Sequence, residues 1–103
     1  MLFNPDTRKI LDVNDAAIHL YGYRREEFLK LTHTDITAEP NESDKTIKQT
    51  VAGEINRIPL RYHRKKDGTI FPVEISSSTM KLGEETVLCG MIRDITERKQ
   101  AEK

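Results

Sequence analysis

The sequence predicts a single α+β domain, in which a group of helices interrupts an antiparallel sheet. The chain has 103 residues, a length that suits one domain. Capped helix-forming segments occupy much of the first half, whereas apolar and polar residues alternate with a period of two after Gly53. Short turns separate the alternating runs, so we expect the strands there to form antiparallel hairpins.

Composition and charge exclude several classes of protein. The 17 basic and 17 acidic residues cancel, which argues against a nucleic-acid binder and against a polybasic segment on a membrane surface. Leu, Ile, Val and Phe make up 25 of the 103 residues, above the roughly 20% typical of disordered chains. The lone Cys89 excludes an internal disulfide and a paired-cysteine zinc site, and predicts a cytoplasmic location. No apolar run approaches the roughly 18 residues that span a bilayer, although a parent protein could be membrane-anchored.

The first half predicts a hairpin followed by helices. The turn signal at residues 4–7 separates two short apolar runs, and the first strand is short enough to raise the question of strand exchange between protomers. Asn14 or Asp15 is expected to cap a helix that reaches Tyr21 and stops at Gly22. Further helices are predicted over 24–31 and 43–52, with a mostly irregular segment between them.

The second half predicts three strands and a last helix. Alternation places Ile58, Leu60 and Tyr62 on one face of the first of these strands, and Phe71, Val73 and Ile75 on one face of the next. The turns are predicted at residues 65–68 and 82–85, the last strand over 86–95, and a helix from Thr96 onward.

Two prolines and two basic residues qualify the strand predictions. Pro59 cannot donate a ladder hydrogen bond, so its strand is expected at a sheet edge, whereas Pro72 fits a strand start or a bulge. Alternation favours Arg61 and His63 on the outer face. A register shift by one residue would instead turn both inward, and an inward Arg61 would favour a ligand that carries a carboxylate.

The order and spacing of several short motifs resemble the PAS domains (S-box or PAS/PAC type) of bacterial sensor proteins. The resemblance extends over essentially the whole chain, and no single motif would suffice for it. The motifs are Asn4-Pro5-Asp6, Ile10-Leu11-Asp12-Val13-Asn14, Ala16-Ala17, Tyr21-Gly22-Tyr23, Arg25-Glu26-Glu27-Phe28, Arg64-Lys65-Lys66-Asp67-Gly68-Thr69, Phe71-Pro72-Val73-Glu74 and Arg93-Asp94-Ile95-Thr96-Glu97-Arg98.

The resemblance implies a five-stranded antiparallel sheet in the order 2-1-5-4-3, with helices packed on one face around a small pocket. It also implies a non-catalytic sensory or relay domain, covering residues 1–95, in a longer signal-transduction protein. That parent would be a sensor histidine kinase or, as the alternative, a diguanylate cyclase. Asp94, Ile95 and Thr96 would form the signal junction, and residues 96–103 would begin the helix that leads to an effector domain in the same polypeptide.

The resemblance also bears on cofactors. Flavin-binding relatives carry a reactive cysteine where this chain has His33, and Val73 and Ile92 stand where two flavin-binding amides would be. Haem-binding relatives ligate iron through a histidine on the helix expected over 43–52, which contains none. His19, His33 and His63 lie on different predicted elements without metal-ligand spacing. We therefore expect neither flavin, haem nor a metal site.

The expected pocket is mostly aliphatic. It either accepts a small ligand or is filled by its own side chains, since protein interiors pack densely. The predicted lining residues are Phe28, Ile36, Ile47, Val51, Phe71, Val73, Ile75, Gly90 and Ile92.

The residues on the opposite face of the last strand predict an interface with a partner protein. Val87, Cys89 and Met91 would form an exposed apolar strip there, and such surfaces usually mark interfaces. We expect a homodimer through this face, with Cys89 as an unreactive packing residue. The alternative function is a dimerisation or spacer module that binds no ligand.

Overall fold

The computed structural model describes residues 1–54 and 57–102. Within these residues there are five strands and five helices. The strands are β1 (Leu2–Phe3), β2 (Ile10–Asp12), β3 (Arg57–Arg64), β4 (Ile70–Leu82) and β5 (Glu85–Asp94). The helices are α1 (Asp15–Tyr21), α2 (Arg25–Phe28), α3 (His33–Ile36), α4 (Pro40–Val51) and α5 (Thr96–Ala101). No helix in the described part of the chain is long and apolar enough to cross a membrane.

The five strands form one antiparallel sheet in the order β2-β1-β5-β4-β3, as predicted. β3 is therefore an edge strand, which confirms the expectation from Pro59. Pro72 lies in β4 just beyond the last β5 residue paired with that strand, Asp94 opposite Val73. Its carbonyl accepts a hydrogen bond from the backbone of Ile95 at 3.1 Å, and its missing N–H interrupts no ladder there.

The helices begin and end where local chemistry favours it. Asn14 caps α1, because its side chain accepts the backbone N–H of Ala17 at 2.9 Å, and Gly22 ends the helix with a left-handed φ of 83°. Both features confirm the prediction. α4 begins at Pro40, three residues before the predicted Ser43, since proline is well tolerated in a first helical turn. The segment expected to be mostly irregular contains the single turn α3.

The core lies between the inner face of the sheet and the helices. Its centre is aromatic: Tyr21 packs edge-on against Phe28 and Phe71, with ring centroids 5.6 and 5.5 Å apart. The remaining buried members are aliphatic or aromatic side chains from both layers, namely Phe3, Ile10, Val13, Ile36, Ile47, Val73 and Leu88.

The predicted alternation in β3 is wrong after Ile58. Leu60 and Tyr62 are exposed, whereas Arg61 and His63 are buried on the inner face. The cause is a register shift. Ile58 pairs with Ile75 and Arg61 pairs with Val73, so between these two pairs β3 contains one residue more than β4. An extra residue of this kind is a β-bulge, and it exchanges the two faces of the strand beyond it. The bulge contains Pro59, which is easily accommodated there.

Candidate functional site

A cavity of about 40 Å³ lies between α4 and the inner face of the sheet. Each water molecule needs about 10–15 Å³ of such space, so the cavity has room for about three. Its walls combine aliphatic side chains with hydroxyls, one histidine and one arginine. The lining residues are Met1, Phe3, His33, Ser43, Thr46, Ile47, Thr50, Ile58, Arg61, Ile75, Ser77, Leu88, Gly90 and Ile92.

The regular spacing of α4 and β5 positions these walls. Ser43, Ile47 and Thr50 recur at helical spacing and are all buried. Leu88, Gly90 and Ile92 alternate along the central strand and face the same space. Gly90 leaves part of that space open, because a Cβ added there would have no heavy atom within 4 Å.

Arg61 is the charged residue of the cavity wall. Its side chain is about nine-tenths buried, with 9% of the residue exposed. Nη2 donates to Thr46 Oγ1 at 2.6 Å. Among the described residues, Glu39 is the one carboxylate within ion-pair distance, and its oxygen lies 4.0 Å from Nη1. That oxygen already accepts the backbone N–H of Tyr62 at 2.8 Å, so the guanidinium is only partly compensated.

Two buried histidines adjoin the cavity. His33 stacks on Phe3 with centroids 4.8 Å apart, and the ring of His63 stands edge-on to His33 at 5.8 Å. Tyr21 Oη lies 2.6 Å from His63 Nδ1. His63 Nε2 is buried and has no hydrogen-bond partner among the described residues.

Burial keeps both histidines neutral. Desolvation lowers the pKa of His63 to about 3, with smaller contributions from His33 and Arg61. Desolvation also lowers the pKa of His33 to about 4, assisted by the positive charges of Arg8 and Arg61. Among the described side chains that line the cavity, Arg61 therefore carries the positive charge, while Arg8 is paired with Asp44.

The predicted lining residues divide into three groups. Ile47, Ile75, Gly90 and Ile92 line the cavity. The second group lies in the adjoining core instead: Phe28, Ile36, Phe71 and Val73. Val51 was misplaced. It is 50% exposed, because the buried face of α4 centres on Ser43, Ile47 and Thr50, and it borders a surface groove near Pro5 and Arg8.

Sequence reasoning missed the polar part of the wall. Alternation favours an outward Arg61 and leaves the inward position only as the alternative. His33 is predicted as a surface or structural residue, Ser43 only as the start of a helix, and the hydroxyls of Thr46 and Thr50 are not part of the prediction. Their helical spacing on one face of α4 was a signal that could have identified them. The inward position of Arg61 depends on the bulge, which alternation alone does not reveal.

The outer sheet face differs from the predicted apolar strip. Met91 is 71% exposed and Cys89 is partly buried, but Val87 is fully buried. Val87 lies on the central strand directly opposite Met80 of β4, so the exposed apolar strip is smaller than predicted.

The junction residues join the sheet to α5. Asp94 Oδ1 accepts the backbone N–H of Thr96 at 2.9 Å. Glu74 of β4 lies 3.3 Å from both Arg98 of α5 and Arg57 of β3. Hydrogen bonds from Arg98 and then Arg57 lower the pKa of the Glu74 carboxyl. The first turn of α5 is thus tied to two strands.

The dimensions of the cavity do not suit the cofactors of flavin- or haem-binding relatives. A space of about 40 Å³ has no room for a fused tricyclic flavin or a porphyrin, and the described residues contain no cluster of three metal-ligating side chains. Cys89 lies on the outer face, opposite Leu2 and Ser78. That the chain uses neither cofactor stays a prediction.

Comparison with known proteins identifies the family. Residues 1–97 match the PAS domain family. The methyl sulfide methyltransferase-associated sensor of Methanosarcina acetivorans is 33% identical in an alignment 101 residues long, which covers 95% of this chain and 10% of that protein. The chain therefore spans about a tenth of the length of that curated relative.

Solved structures agree with the family match. The PAS domain of a Desulfitobacterium hafniense protein is similar with a TM-score of 0.81 and 25% identity, over 91% of this chain and 89% of that one. A domain of a sensory box sensor histidine kinase/response regulator from Geobacter sulfurreducens has a TM-score of 0.72 and 27% identity, over 90% of this chain and 79% of that one. The chain belongs to the PAS domain family and is a sensory signalling domain rather than an enzyme.

Proposed function

We propose that this domain senses a small ligand in the cavity and relays its presence to an effector through Asp94, Ile95 and Thr96. The observation that carries the proposal is the course of β5. This central strand lines the cavity with Gly90 and Ile92 and reaches the junction two residues later. A change in the spacing of α4 and the sheet is transmitted along a hydrogen-bonded strand with little loss, because packed elements move as units.

The contacts of α5 support the relay. Glu74 binds Arg98 of α5 and Arg57 of the edge strand at equal distances, so a tilt of β3 or β4 pulls on the first turn of α5. Ile95 is buried and donates its N–H to Pro72. In this proposal residues 1–95 form the sensing unit and residues 96–103 begin the outgoing helix.

The relatives suggest the setting of the domain. Two relatives support a longer sensor protein, such as a sensor histidine kinase, as the parent. One is the sensor of which this chain matches a tenth, and the other is a sensory box sensor histidine kinase/response regulator, one domain of which has a similar fold. The unpaired thiol of Cys89 supports a reducing, cytoplasmic compartment.

A second candidate function is a dimerisation or spacer module without a ligand. The exposed apolar side chains on the outer face favour it, above all Met91 together with Met80 and Leu82. The complete burial of Val87 weakens it, because the strip that a partner would cover is smaller than expected.

Filling the cavity tests the relay. Gly90→Val adds a β-branched side chain where a Cβ meets no atom, and it suits a strand. We expect slower or faster amide exchange in α5 than in the wild type, while Gly90→Ala, the matched control, leaves α5 close to the wild type. Unchanged exchange in α5 for a folded Gly90→Val protein contradicts the relay.

Light scattering on Met91→Glu tests the second candidate function, because a dimer held together by the outer sheet face would dissociate.

A further inference from the structure

We propose that the cavity binds a small monocarboxylate of about the size of acetate, held by Arg61 and Ser43. This inference rests on the proposed ligand-sensing function and specifies the chemical class of the ligand.

The first argument is the charge of Arg61. Burying a guanidinium is costly unless hydrogen bonds and an opposite charge compensate it. The guanidinium of Arg61 makes one hydrogen bond among the described residues, to the neutral Thr46, and the nearest oxygen of Glu39 lies 4.0 Å from it. A carboxylate in the cavity would supply the missing charge and accept the remaining guanidinium protons, for which its planar geometry is well matched.

The second argument is the arrangement of hydroxyl protons. Thr46 donates to Glu42 O at 3.0 Å and Thr50 donates to Thr46 O at 2.9 Å, so neither proton is free for a ligand. Thr50 Oγ1 can then only accept from Ser77, 3.0 Å away, which uses the Ser77 proton as well.

Ser43 differs from these hydroxyls. Its Oγ lies 2.7 Å from Thr37 Oγ1, and it makes no other side-chain hydrogen bond within the described residues. When Thr37 donates to Ser43, the Ser43 proton is free to donate to a second acceptor. Ser43 is buried and lines the cavity, so an anion held by Arg61 would meet a second donor there.

The third argument is size and wall chemistry. Three water molecules take up about 90 Å³ in the liquid. Covalently bonded atoms lie closer together than neighbouring waters, so this room suits a ligand of about four non-hydrogen atoms. A carboxylate group and one methyl group match this number. Apart from the polar side, the walls are largely apolar and include Ile47, Ile75 and Ile92, whose side chains suit a methyl group.

The proposal is tested by titrating the isotope-labelled chain with sodium acetate and, separately, with the neutral isostere acetamide at matched ionic strength. The readout is the methyl resonances of the cavity isoleucines. We expect saturable shifts with acetate, with a dissociation constant between about 0.1 and 10 mM for so small a ligand. Acetamide should bind at least about tenfold more weakly, because the charged hydrogen bonds are lost.

Two arginine-to-methionine substitutions in β3 test whether the guanidinium of Arg61 binds the carboxylate. Arg61→Met keeps the aliphatic stem and removes the guanidinium, and we expect acetate binding to weaken by about 10- to 100-fold. Arg64→Met is the matched control, because Arg64 is exposed on the other face, and its affinity should equal that of the wild type.

Several results would overturn the proposal. They are equal binding of acetate and acetamide, no saturable shift with acetate up to about 100 mM, and undiminished binding in Arg61→Met. The comparison of acetate with acetamide uses the unmodified chain, so it decides the question even where Arg61→Met fails to fold. Each of these results leaves the Gly90→Val exchange experiment unaffected, so failure of this inference is distinguishable from failure of the relay.

Discussion

The phenol oxygen of Tyr21 lies 2.6 Å from Nδ1 of His63, and both side chains are fully buried. This contact joins the last residue of α1 to the edge strand β3, beyond the bulge. Both partners are neutral, since burial raises the pKa of Tyr21 and lowers that of His63. The hydrogen bond therefore fixes the inward register of β3 without burying a charge.

Removing the Tyr21 hydroxyl should destabilise the domain. Tyr21→Phe leaves His63 Nδ1 buried without a partner, which costs about 1–3 kcal/mol. Urea unfolding monitored by circular dichroism measures the difference. Tyr62→Phe in β3 is the control, because Tyr62 is exposed. The free energy of unfolding of this variant should differ from that of the wild type by no more than about 0.5 kcal/mol. Equal effects of the two substitutions would contradict this account.

Stability should fall as the pH is lowered from 7 to 5. The folded pKa values of His33 and His63 are about 4 and about 3, whereas an unfolded histidine titrates near about 6.5. Between these values the unfolded chain binds more protons, so the stability present above about pH 6.5 declines by up to about 1.4 kcal/mol per pH unit for each histidine. Carboxylates with lowered pKa values, such as Glu74, act in the same direction only at lower pH, below their unfolded values.

Histidine variants assign the pH effect. His33→Phe should roughly halve the slope between pH 7 and 5, because one titrating ring is removed. A flat free energy of unfolding across this range in the wild type would show that the buried histidines do not titrate as described.

Two glycine-to-alanine substitutions should have opposite signs. At Gly90 the new Cβ meets no atom, so restricting the unfolded chain should stabilise the protein by about 0.4–1 kcal/mol. At Gly22 the backbone has a φ of 83°, and forcing alanine into the left-handed region should cost about 1–2 kcal/mol. Thermal unfolding of the two variants side by side measures both signs, and a stabilised Gly22→Ala would contradict the assigned helix end.

Asp94 should control the order of α5. In Asp94→Ala the backbone N–H of Thr96 loses its acceptor, and loss of such a hydrogen bond just before a helix costs about 1 kcal/mol locally. We expect amide exchange in Thr96–Ala101 to accelerate about fivefold, with exchange in β4 unchanged. Arg93→Ala, which alters an exposed neighbour, is the control. Unchanged exchange in α5 would contradict this role of Asp94.

The fold followed from local patterns because most of its elements are specified locally. Asn14 and Gly22 mark the ends of α1 by their own chemistry, and Pro59 indicates an edge by its missing donor. The sheet order came from the resemblance to PAS domains, since alternation identifies faces but not neighbours.

The candidate site was harder to predict because it depends on pairing between strands. Alternation placed Leu60 inward, but the partner strand decides which residue faces the core. The prediction that Val51 lines the cavity is also wrong. Val51 lies four residues from Ile47, which suits a shared face, but the buried face of α4 contains Thr50 instead and Val51 is 50% exposed.

The bulge at Pro59 makes chain length, rather than residue identity, the variable that sets the chemistry of the cavity. With one residue fewer between His63 and the turn at residues 65–68, and Ile58 still opposite Ile75, β3 would pair with β4 without a bulge. Leu60 and Tyr62 would then face the interior, and Arg61 and His63 would face water. Related domains that differ here by one insertion or deletion are thus expected to differ in ligand preference even where every substitution is conservative. Specificity in such a lineage can change in one genetic step that a comparison of aligned residues would score as a gap.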